Sequence, residues 1–231
     1  MAKTTTKART APRAKKAAKS ATTRRKTTTR TKAARTKSAT SRKPAARTTA
    51  RGASQRRPAA SKVPAAIVRA AQQMKTSLAV AEFPDDAIAL LQQDHRQVES
   101  LFEEFENTQG KAKKAGIAAK ICLELRVHMQ IEEELLYPPA HKEIEHDLVD
   151  EAIVEHASAK DLVKQIETMD PAEHLYDAKV KVLSEYIKHH VKEEEAEMFP
   201  KLRGHKLNLH DLAKSLAKRK VELISKYAKA G

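Results

Sequence analysis

From residue 84 onward, apolar residues recur every three or four positions, the spacing that lines one face of an α-helix. Two aspartates, Asp85 and Asp86, stand where a first helix would begin and can accept hydrogen bonds from its free amides. The pattern predicts a long amphipathic helix. Its inward stripe consists of Ile88, Leu91, His95, Val98, Phe102 and Phe105.

Three more helices follow with the same period. The second is predicted from about residue 117 to Tyr137, where Pro138 and Pro139 should end it. The third is predicted to begin near Asp147 and the fourth to end at Pro200. Each of these helices also carries a histidine on its inward stripe, and two of them carry a glutamate there. These residues are His128, Glu132, His156, His190 and Glu194.

Short connections between long helices favour antiparallel neighbours, so the sequence predicts an all-α fold. We expect an up-down-up-down four-helix bundle over residues 84–202. A further amphipathic stretch, from Leu209 to about Tyr227, predicts an extra C-terminal helix within residues 203–231 that packs on the bundle. Residues 63–83 are interpreted as a linker or a short helix.

Charge divides the chain into two unlike parts. Residues 1–80 contain 23 Lys or Arg and no acid, whereas residues 81–231 carry a net charge of −8. Residues 1–62 consist mainly of Ala, Thr, Ser, Lys and Arg, so they have little apolar surface to offset the entropy lost on ordering. We therefore expect a basic N-terminal tail, disordered when free, joined to an acidic helical body.

Other features bear on the compartment. The lone cysteine, Cys122, excludes an internal disulfide framework and fits a reducing environment. No apolar run approaches the length of a transmembrane helix, about 18 residues or more. The tail is rich in Arg, Ser and Thr, as transit peptides are, but it has no bulky apolar helix face. The expected protein is cytoplasmic and has no transmembrane segment.

The polar residues of the inward stripes form a duplicated pattern. His95 is followed at spacings of 33, 4 and 6 residues by His128, Glu132 and Pro138. The second set is spaced 34, 4 and 6 and consists of His156, His190, Glu194 and Pro200. One such set per helical hairpin is what a two-metal site inside a four-helix bundle requires.

A structural role is the alternative to metal binding, because a single histidine in an apolar stripe is usually a core residue. Glutamate is harder to accommodate: an unpaired buried carboxylate is strongly unfavourable, so Glu132 and Glu194 each need a partner. His-x-x-x-Glu places both side chains on one face of a helix, one turn apart. Imidazole and carboxylate together suit iron, manganese or zinc. The duplicated spacing therefore favours a metal site.

The combined motif resembles the hemerythrin-like, HHE cation-binding family over about residues 85–202. The resemblance is carried by Asp94-His95, by His128-x3-Glu132 leading into Leu136-Tyr137-Pro138, by Glu155-His156, and by His190-x3-Glu194 leading into Met198-Phe199-Pro200. It implies a non-haem centre of two iron ions that binds O2 or a related small molecule such as NO or peroxide. Residue by residue, it implies as metal ligands His95, His128, Glu132, His156, His190 and Glu194.

One position departs from the family pattern. Oxygen-carrying hemerythrins have a second histidine one turn after the ligand of the third helix, where this chain has Lys160. Four in-phase histidines remain where the carriers have five. Lys160 could point to solvent or approach an anion bound to iron. In either case one iron should keep an extra open position, which favours reactivity or sensing over long-lived oxygen storage.

Several polar residues near these ligands are assigned to the surface. His189 adjoins a ligand but faces another direction on the helix, and we interpret it as exposed. Glu133, Glu193 and Glu195 are interpreted as a solvated face, although one of them could accept a hydrogen bond from a ligand histidine. Tyr186, one turn before the fourth histidine, is considered as a pocket-lining residue.

The tail carries 21 Lys or Arg within residues 1–62 and resembles in composition the tails of histone H1-like bacterial proteins. Unopposed cations attract DNA or RNA, which release counterions on binding. No aromatic residue precedes Phe83, so base stacking and sequence readout are not expected. We predict nonspecific DNA or RNA binding and association with the nucleoid. A solubilising or membrane-surface tail is the alternative.

Together, these features predict a di-iron protein that binds O2 or a related small molecule. Its expected role is sensing, or protection against oxidative and nitrosative stress. A second class is an enzyme, either a di-iron oxidase or peroxidase or a repair protein for iron–sulfur clusters. A third class is a histone H1-like protein that compacts DNA.

Overall fold

The computed structural model describes residues 63–230, and every regular element in this range is helical. The predicted all-α fold is confirmed. The predicted basic tail, residues 1–62, lies outside the described residues. The α-helices are α1 Ala65–Leu78, α2 Ala87–Asn107, α3 Lys111–Ile131, α4 Tyr137–Glu143, α5 His146–Thr168, α6 Tyr176–Glu193, α7 Phe199–Gly204 and α8 Leu209–Ala228.

The starts of α2 and α3 have local causes. Asp86 caps α2, since its side chain accepts a hydrogen bond of 2.9 Å from the Ala89 amide. Gly110 precedes α3 with φ of 93°, a backbone conformation that favours glycine. The prediction that this helix begins near residue 117 was wrong. Gly116 lies inside α3, where a glycine weakens a helix without ending it.

The prediction that prolines end the second and fourth helices was also wrong. Two π-helical turns, Glu132–Leu136 and Glu194–Met198, connect α3 to α4 and α6 to α7 without a break. Pro138 and Pro200 lie in the first turns of the helices that follow. Proline fits a first turn because its ring already fixes φ at a helical value. The chain therefore stays helical to Glu143 and to Gly204.

The helices α2, α3, α5 and α6 form the predicted four-helix bundle. Helix α2 contacts α3 and α6, and α5 contacts the same two helices, so the four surround one apolar core. The predicted extra C-terminal helix, α8, packs against α2 and α3. Helix α1 lies against α8 and α3, with Ile67 and Val68 buried.

This arrangement makes the two hairpins unequal. The α2–α3 hairpin is covered by α1 and α8, whereas the structure places no further long helix of the described range against α5 and α6. Among the described residues, none of the helices combines the length and apolar character needed to cross a membrane.

Candidate metal centre

The six predicted ligands converge at the centre of the bundle. Each of the four long helices contributes one histidine, and the glutamates come from the first positions of the two π-helical turns. All six side chains are buried, with none more than 5% exposed. π-Helical turns widen a helix and often occur at functional sites. The structure thus brings together His95, His128, Glu132, His156, His190 and Glu194.

The histidines meet in two pairs. The Nε2 atoms of His95 and His128 are 3.1 Å apart, and those of His156 and His190 are 3.0 Å apart. Each pair joins the two helices of one hairpin.

The glutamates link the two pairs. Glu132 Oε2 lies 3.2 Å from the Nε2 of His128 and 3.4 Å from that of His156. Glu194 Oε2 lies 3.6 Å from the Nε2 of His190 and 3.5 Å from that of His95. Each carboxylate therefore faces a histidine of its own helix and one of the opposite hairpin. Each carboxylate would therefore be within reach of a metal ion held by either histidine pair.

The donor atoms form two overlapping groups. His95, His128, Glu132 and Glu194 each place a donor atom within 4.8 Å of the others. Glu132 belongs to a second group of the same kind, which also contains His156 and His190. Two ions held side by side would share Glu132.

A second carboxylate faces the other ring nitrogen of every histidine. These contacts of Nδ1 are Glu195 to His95 (2.8 Å), Glu133 to His156 (3.1 Å), Glu155 to His190 (2.8 Å) and Asp94 to His128 (3.6 Å). The first three contacts are within hydrogen-bond distance, and an ionised carboxylate only accepts hydrogen bonds, so the proton of a neutral His95, His156 or His190 belongs on Nδ1. Of Glu133, Glu193 and Glu195, which were interpreted as a solvated face with one possible contact to a ligand histidine, two make such a contact, Glu133 and Glu195. Glu155 and Asp94 were not predicted in this role.

If Nδ1 of a histidine carries the proton, its Nε2 has a free lone pair that needs a positive partner. Protonation of Nδ1 leaves the lone pairs of Nε2 on His156 and His190 directed at each other 3.0 Å apart, and a cation is a partner that satisfies both. Both oxygens of Glu132 and Oε2 of Glu194 are also buried without a hydrogen-bond donor. Orphaned buried acceptors are unfavourable unless something positive pairs with them. The residues present fit bound metal cations.

Comparison with known families gives a match over residues 86–202 to the family described as Hemerythrin HHE cation binding domain. The chain belongs to the hemerythrin HHE cation-binding family. Metal-ion binding follows from this membership, and the buried His/Glu groups provide donor atoms for it.

Further comparisons add one relative and no solved structure. A protein of Nostoc sp. (strain PCC 7120 / SAG 25.82 / UTEX 2576) called a DNA nickase is 27% identical to this chain over 115 residues. The matched region covers 50% of this chain and 33% of the relative, so the chain spans about a third of the relative's length. No solved structure matches the chain.

The pKa values of the HHE glutamates move in opposite directions. Burial and the neighbouring Glu194 raise the pKa of Glu132 well above its usual range. Burial also acts to raise the pKa of Glu194, but His190 and His95 outweigh it and hold that pKa below its usual range. Without cations, the centre therefore disfavours two negative charges on this pair of carboxylates.

Burial away from water acts to lower the pKa values of His128, His156 and His190. Burial lowers the pKa of His128 to about 4, and burial likewise lowers the pKa of His156. Burial acts in the same direction on the pKa of His190, but Glu194 and Glu155 outweigh it and raise that pKa. His128 is thus held in the neutral form that can donate a lone pair.

Two aromatic side chains complete the centre, and the sequence analysis did not select either as a site residue. Tyr137 lies with its hydroxyl 3.0 Å from Glu194 Oε1, to which it donates, and 3.1 Å from His156 Nε2. Phe199 occupies the corresponding position of the second half, and its ring stacks on His95 with centroids 5.9 Å apart. The duplicated pattern could have indicated both residues, because Tyr137 and Phe199 are each the fifth residue after a ligand glutamate.

Lys160 is 39% exposed and pairs with a carboxylate beside the centre. Its ammonium group lies 2.5 Å from both oxygens of Glu133, which in turn faces His156 Nδ1. Lys160 therefore acts on the centre through the carboxylate that orients a histidine. Tyr186, which was considered as a pocket-lining residue, is 41% exposed and does not line the cavity at the centre. His189 is exposed, as expected.

A small apolar cavity adjoins the centre on the side away from the π-helical turns. It has a volume of about 10 Å³, enough for one water-sized molecule. All four ligand histidines contribute to its wall, together with aliphatic side chains that include Val98, Leu125, Ile187 and Val191.

Proposed function

We propose that this chain is a di-iron protein that binds O2 or a related small molecule, NO or peroxide, for sensing or stress protection. The observation that carries the proposal is the shared position of Glu132 between two groups of buried donors. Imidazole and carboxylate ligands suit iron, and manganese or zinc are the alternatives. The proposed ligands are His95, His128, Glu132, His156, His190 and Glu194.

The chemistry that iron supplies when bound is an open position at which a small molecule can bind. The protein residues determine which molecule reaches it. The cavity bounded by Val98, Leu125, Ile187 and Val191 is apolar and admits only a molecule of about the size of water. O2 and NO meet both conditions best, because peroxide is small but more strongly hydrated and larger molecules do not fit.

The carboxylates that contact Nδ1 of the histidines hold the proposed ligands in position. Glu195, Glu133 and Glu155 accept hydrogen bonds from Nδ1 of three histidines, which fixes the ring orientation and the tautomer. Tyr137 holds Glu194 through its hydroxyl and remains protonated, because burial and Glu194 raise its pKa well above the usual value. These residues orient the ligands without occupying the proposed open position.

The experiment for this proposal uses iron-loaded protein reduced under argon and then exposed to air or to NO. Absorption bands that appear with each gas and disappear when it is removed support binding. Consumption of peroxide over many turnovers supports the alternative of a di-iron oxidase or peroxidase. Unchanged spectra with both gases contradict small-molecule binding at this centre.

We also propose that residues 1–62 bind DNA or RNA nonspecifically and associate the protein with the nucleoid. The 21 Lys or Arg of this segment support the proposal, as no acid accompanies them. The name of the Nostoc relative, DNA nickase, favours DNA as the partner and adds cleavage of one DNA strand as a second candidate function. Incubation with supercoiled plasmid separates the two, because binding alone leaves the plasmid closed.

A further inference from the structure

A second cavity, of about 50 Å³, lies against α5, α6 and the π-helical turn Glu194–Met198. Its wall contains no Lys or Arg. Its ionisable lining residues are Glu151, Glu155, His190, Glu193, Glu194 and Glu197. Two of the six, His190 and Glu194, are buried ligands proposed above, whereas Glu151 and Glu197 are exposed. The cavity therefore runs from an acidic surface to the proposed iron site.

The duplicated halves show that this acidic surface is specific to the second hairpin. Residues corresponding to Glu193 and Glu197 in the first hairpin are Ile131 and Leu135, in the same spacing from the ligands. Glu151 corresponds in the same way to Leu90, and His189 corresponds to Val127. The first hairpin is apolar at these positions because α1 and α8 cover it.

One exposed histidine completes a group of possible metal donors at the mouth of this cavity. His189 Nε2 lies 3.3 Å from Glu193 Oε1 and 3.7 Å from Glu155 Oε1. The other oxygen of Glu155 lies 2.8 Å from His190 Nδ1. Glu155 therefore contacts both the exposed histidine and the buried ligand next to it in the chain.

Acidic surfaces are commonly solvated without binding a metal ion, but this one leads to a buried carboxylate. This carboxylate belongs to Glu194, which lines the cavity and is 2% exposed. Its Oε2 atom has no hydrogen-bond donor. A larger cavity of about 430 Å³, near α1 and α8, lacks this connection. None of the six proposed ligands lines it, and Lys120 and Lys220 both do.

We propose that the acidic cavity is the route by which divalent cations load the buried centre, with Glu155, His189 and Glu193 as a transient docking site. Four carboxylates outside the buried centre, Glu151, Glu155, Glu193 and Glu197, line the cavity without any Lys or Arg, so they concentrate cations there and accelerate their arrival. Carboxylate and imidazole suit first-row divalent metals, and the exposure of His189 allows the ion to leave again. The inference rests on the proposed function of the centre.

The test compares rates of metal uptake in the full chain. Apoprotein is mixed with ferrous iron under argon, stopped at intervals with excess chelator and desalted, and the bound iron is measured. We expect His189→Ala with Glu193→Gln to load about tenfold more slowly than the parent and to reach the same final iron content. The matched control is His205→Ala with Glu143→Gln, an exposed pair 3.5 Å apart outside the cavity, which should load at the parental rate.

Salt provides a second readout in the same experiment. Raising the ionic strength from about 0.01 M to about 0.15 M shortens the screening length from roughly 30 Å to about 8 Å. Parental uptake should slow over this range, and uptake by the His189/Glu193 variant should slow less.

Equal uptake rates for the parent and the His189/Glu193 variant would overturn the loading route, as would equal slowing by the control variant. An uptake rate that does not depend on iron concentration would also overturn it, because opening of the bundle would then limit loading. These outcomes differ from failure of the proposed function, in which the parent binds no iron at equilibrium and the loading route fails with it.

Discussion

The ammonium group of Lys220 lies 2.5 Å from Asp94 Oδ1, and both side chains are buried. The second oxygen of Asp94 lies 3.6 Å from Nδ1 of His128. Burial acts to lower the pKa of Lys220, but Asp94 and Glu124 outweigh it and raise that pKa. Burial acts to raise the pKa of Asp94, and Lys220 with His128 outweighs it in the opposite direction. The shifts of both partners indicate a charged pair that connects α8 to the ligand shell.

Replacement of Lys220 by methionine should therefore leave Asp94 buried without its cation. Removing one partner of a buried pair costs about 3–5 kcal/mol of unfolding free energy. We expect a loss of this order for Lys220→Met, measured by urea unfolding of the apoprotein. The control is Lys218→Met on the exposed side of α8, which should change stability little. Equal stability of the two variants would contradict the role of this pair.

Lys160 offers a test of the proposed open position. Both Lys160→His and Lys160→Met remove the ion pair with Glu133, but only histidine adds an imidazole one turn after His156. We expect Lys160→His to move the iron-loaded centre towards reversible oxygen binding and Lys160→Met not to do so. Absorption spectra recorded through cycles of air and argon measure the difference. Identical spectra for the two variants would show that no position is open to the new ring.

The pKa of His128 predicts how the stability of the apoprotein depends on pH. Burial lowers this pKa from 6.5 to about 4, so between these values the unfolded chain binds a proton that the folded chain does not. The contribution of this group to stability should therefore fall as the pH falls from 6.5 to about 4 and change no further below that. The full effect is on the order of 3 kcal/mol.

A comparison of apoprotein with its His128→Gln variant isolates this contribution. The variant cannot take up the proton, so it should lose less stability than the parent across the same interval. Urea unfolding at a series of pH values gives both curves. Parallel curves would mean that His128 is protonated in the folded apoprotein with its ordinary affinity.

The sequence was sufficient to predict the four long helices and the meeting of six side chains, because both depend on helical period. His95 and its counterparts stand in apolar stripes, and a bundle brings such stripes together. The helix end predicted at Pro138 was wrong, because the apolar pattern does not indicate the π-helical turn that lies before this proline. The wider turn also brought Tyr137 to Glu194, a contact that depends on the local backbone.

Contacts between the two hairpins could not be predicted from the apolar pattern of each helix, because they depend on how the helices pack. Glu195 contacts His95, a residue 100 positions away in the chain, and its partner depends on how α6 lies against α2. Lys220 could have been recognised as unusual, because it lies in phase with Leu216 and Leu223 on the apolar face of α8. Its carboxylate partner, Asp94, depends on where α8 docks.

The basic tail gives a prediction that is independent of the metal centre. The full chain should bind double-stranded DNA with an affinity that falls steeply with salt, since each phosphate contact releases a counterion. A shortened chain that begins at Val63 lacks 21 Lys or Arg and should bind far more weakly. Fluorescence anisotropy with two DNA duplexes of unrelated sequence measures affinity and the lack of sequence preference. Equal binding by the two chains would place the DNA contact elsewhere.

In the proposed centre, the six buried side chains hold two iron ions. The most direct measurement is the iron content of the full chain and of a His128→Ala, Glu132→Ala variant, each saturated with ferrous iron under argon. The matched control is His189→Ala with Glu193→Ala, which has the same spacing on the surface. We predict about two iron ions per chain for the parent and the control, and loss of most iron from the His128/Glu132 variant with its helical circular dichroism retained. Undiminished iron in that variant would contradict the claim.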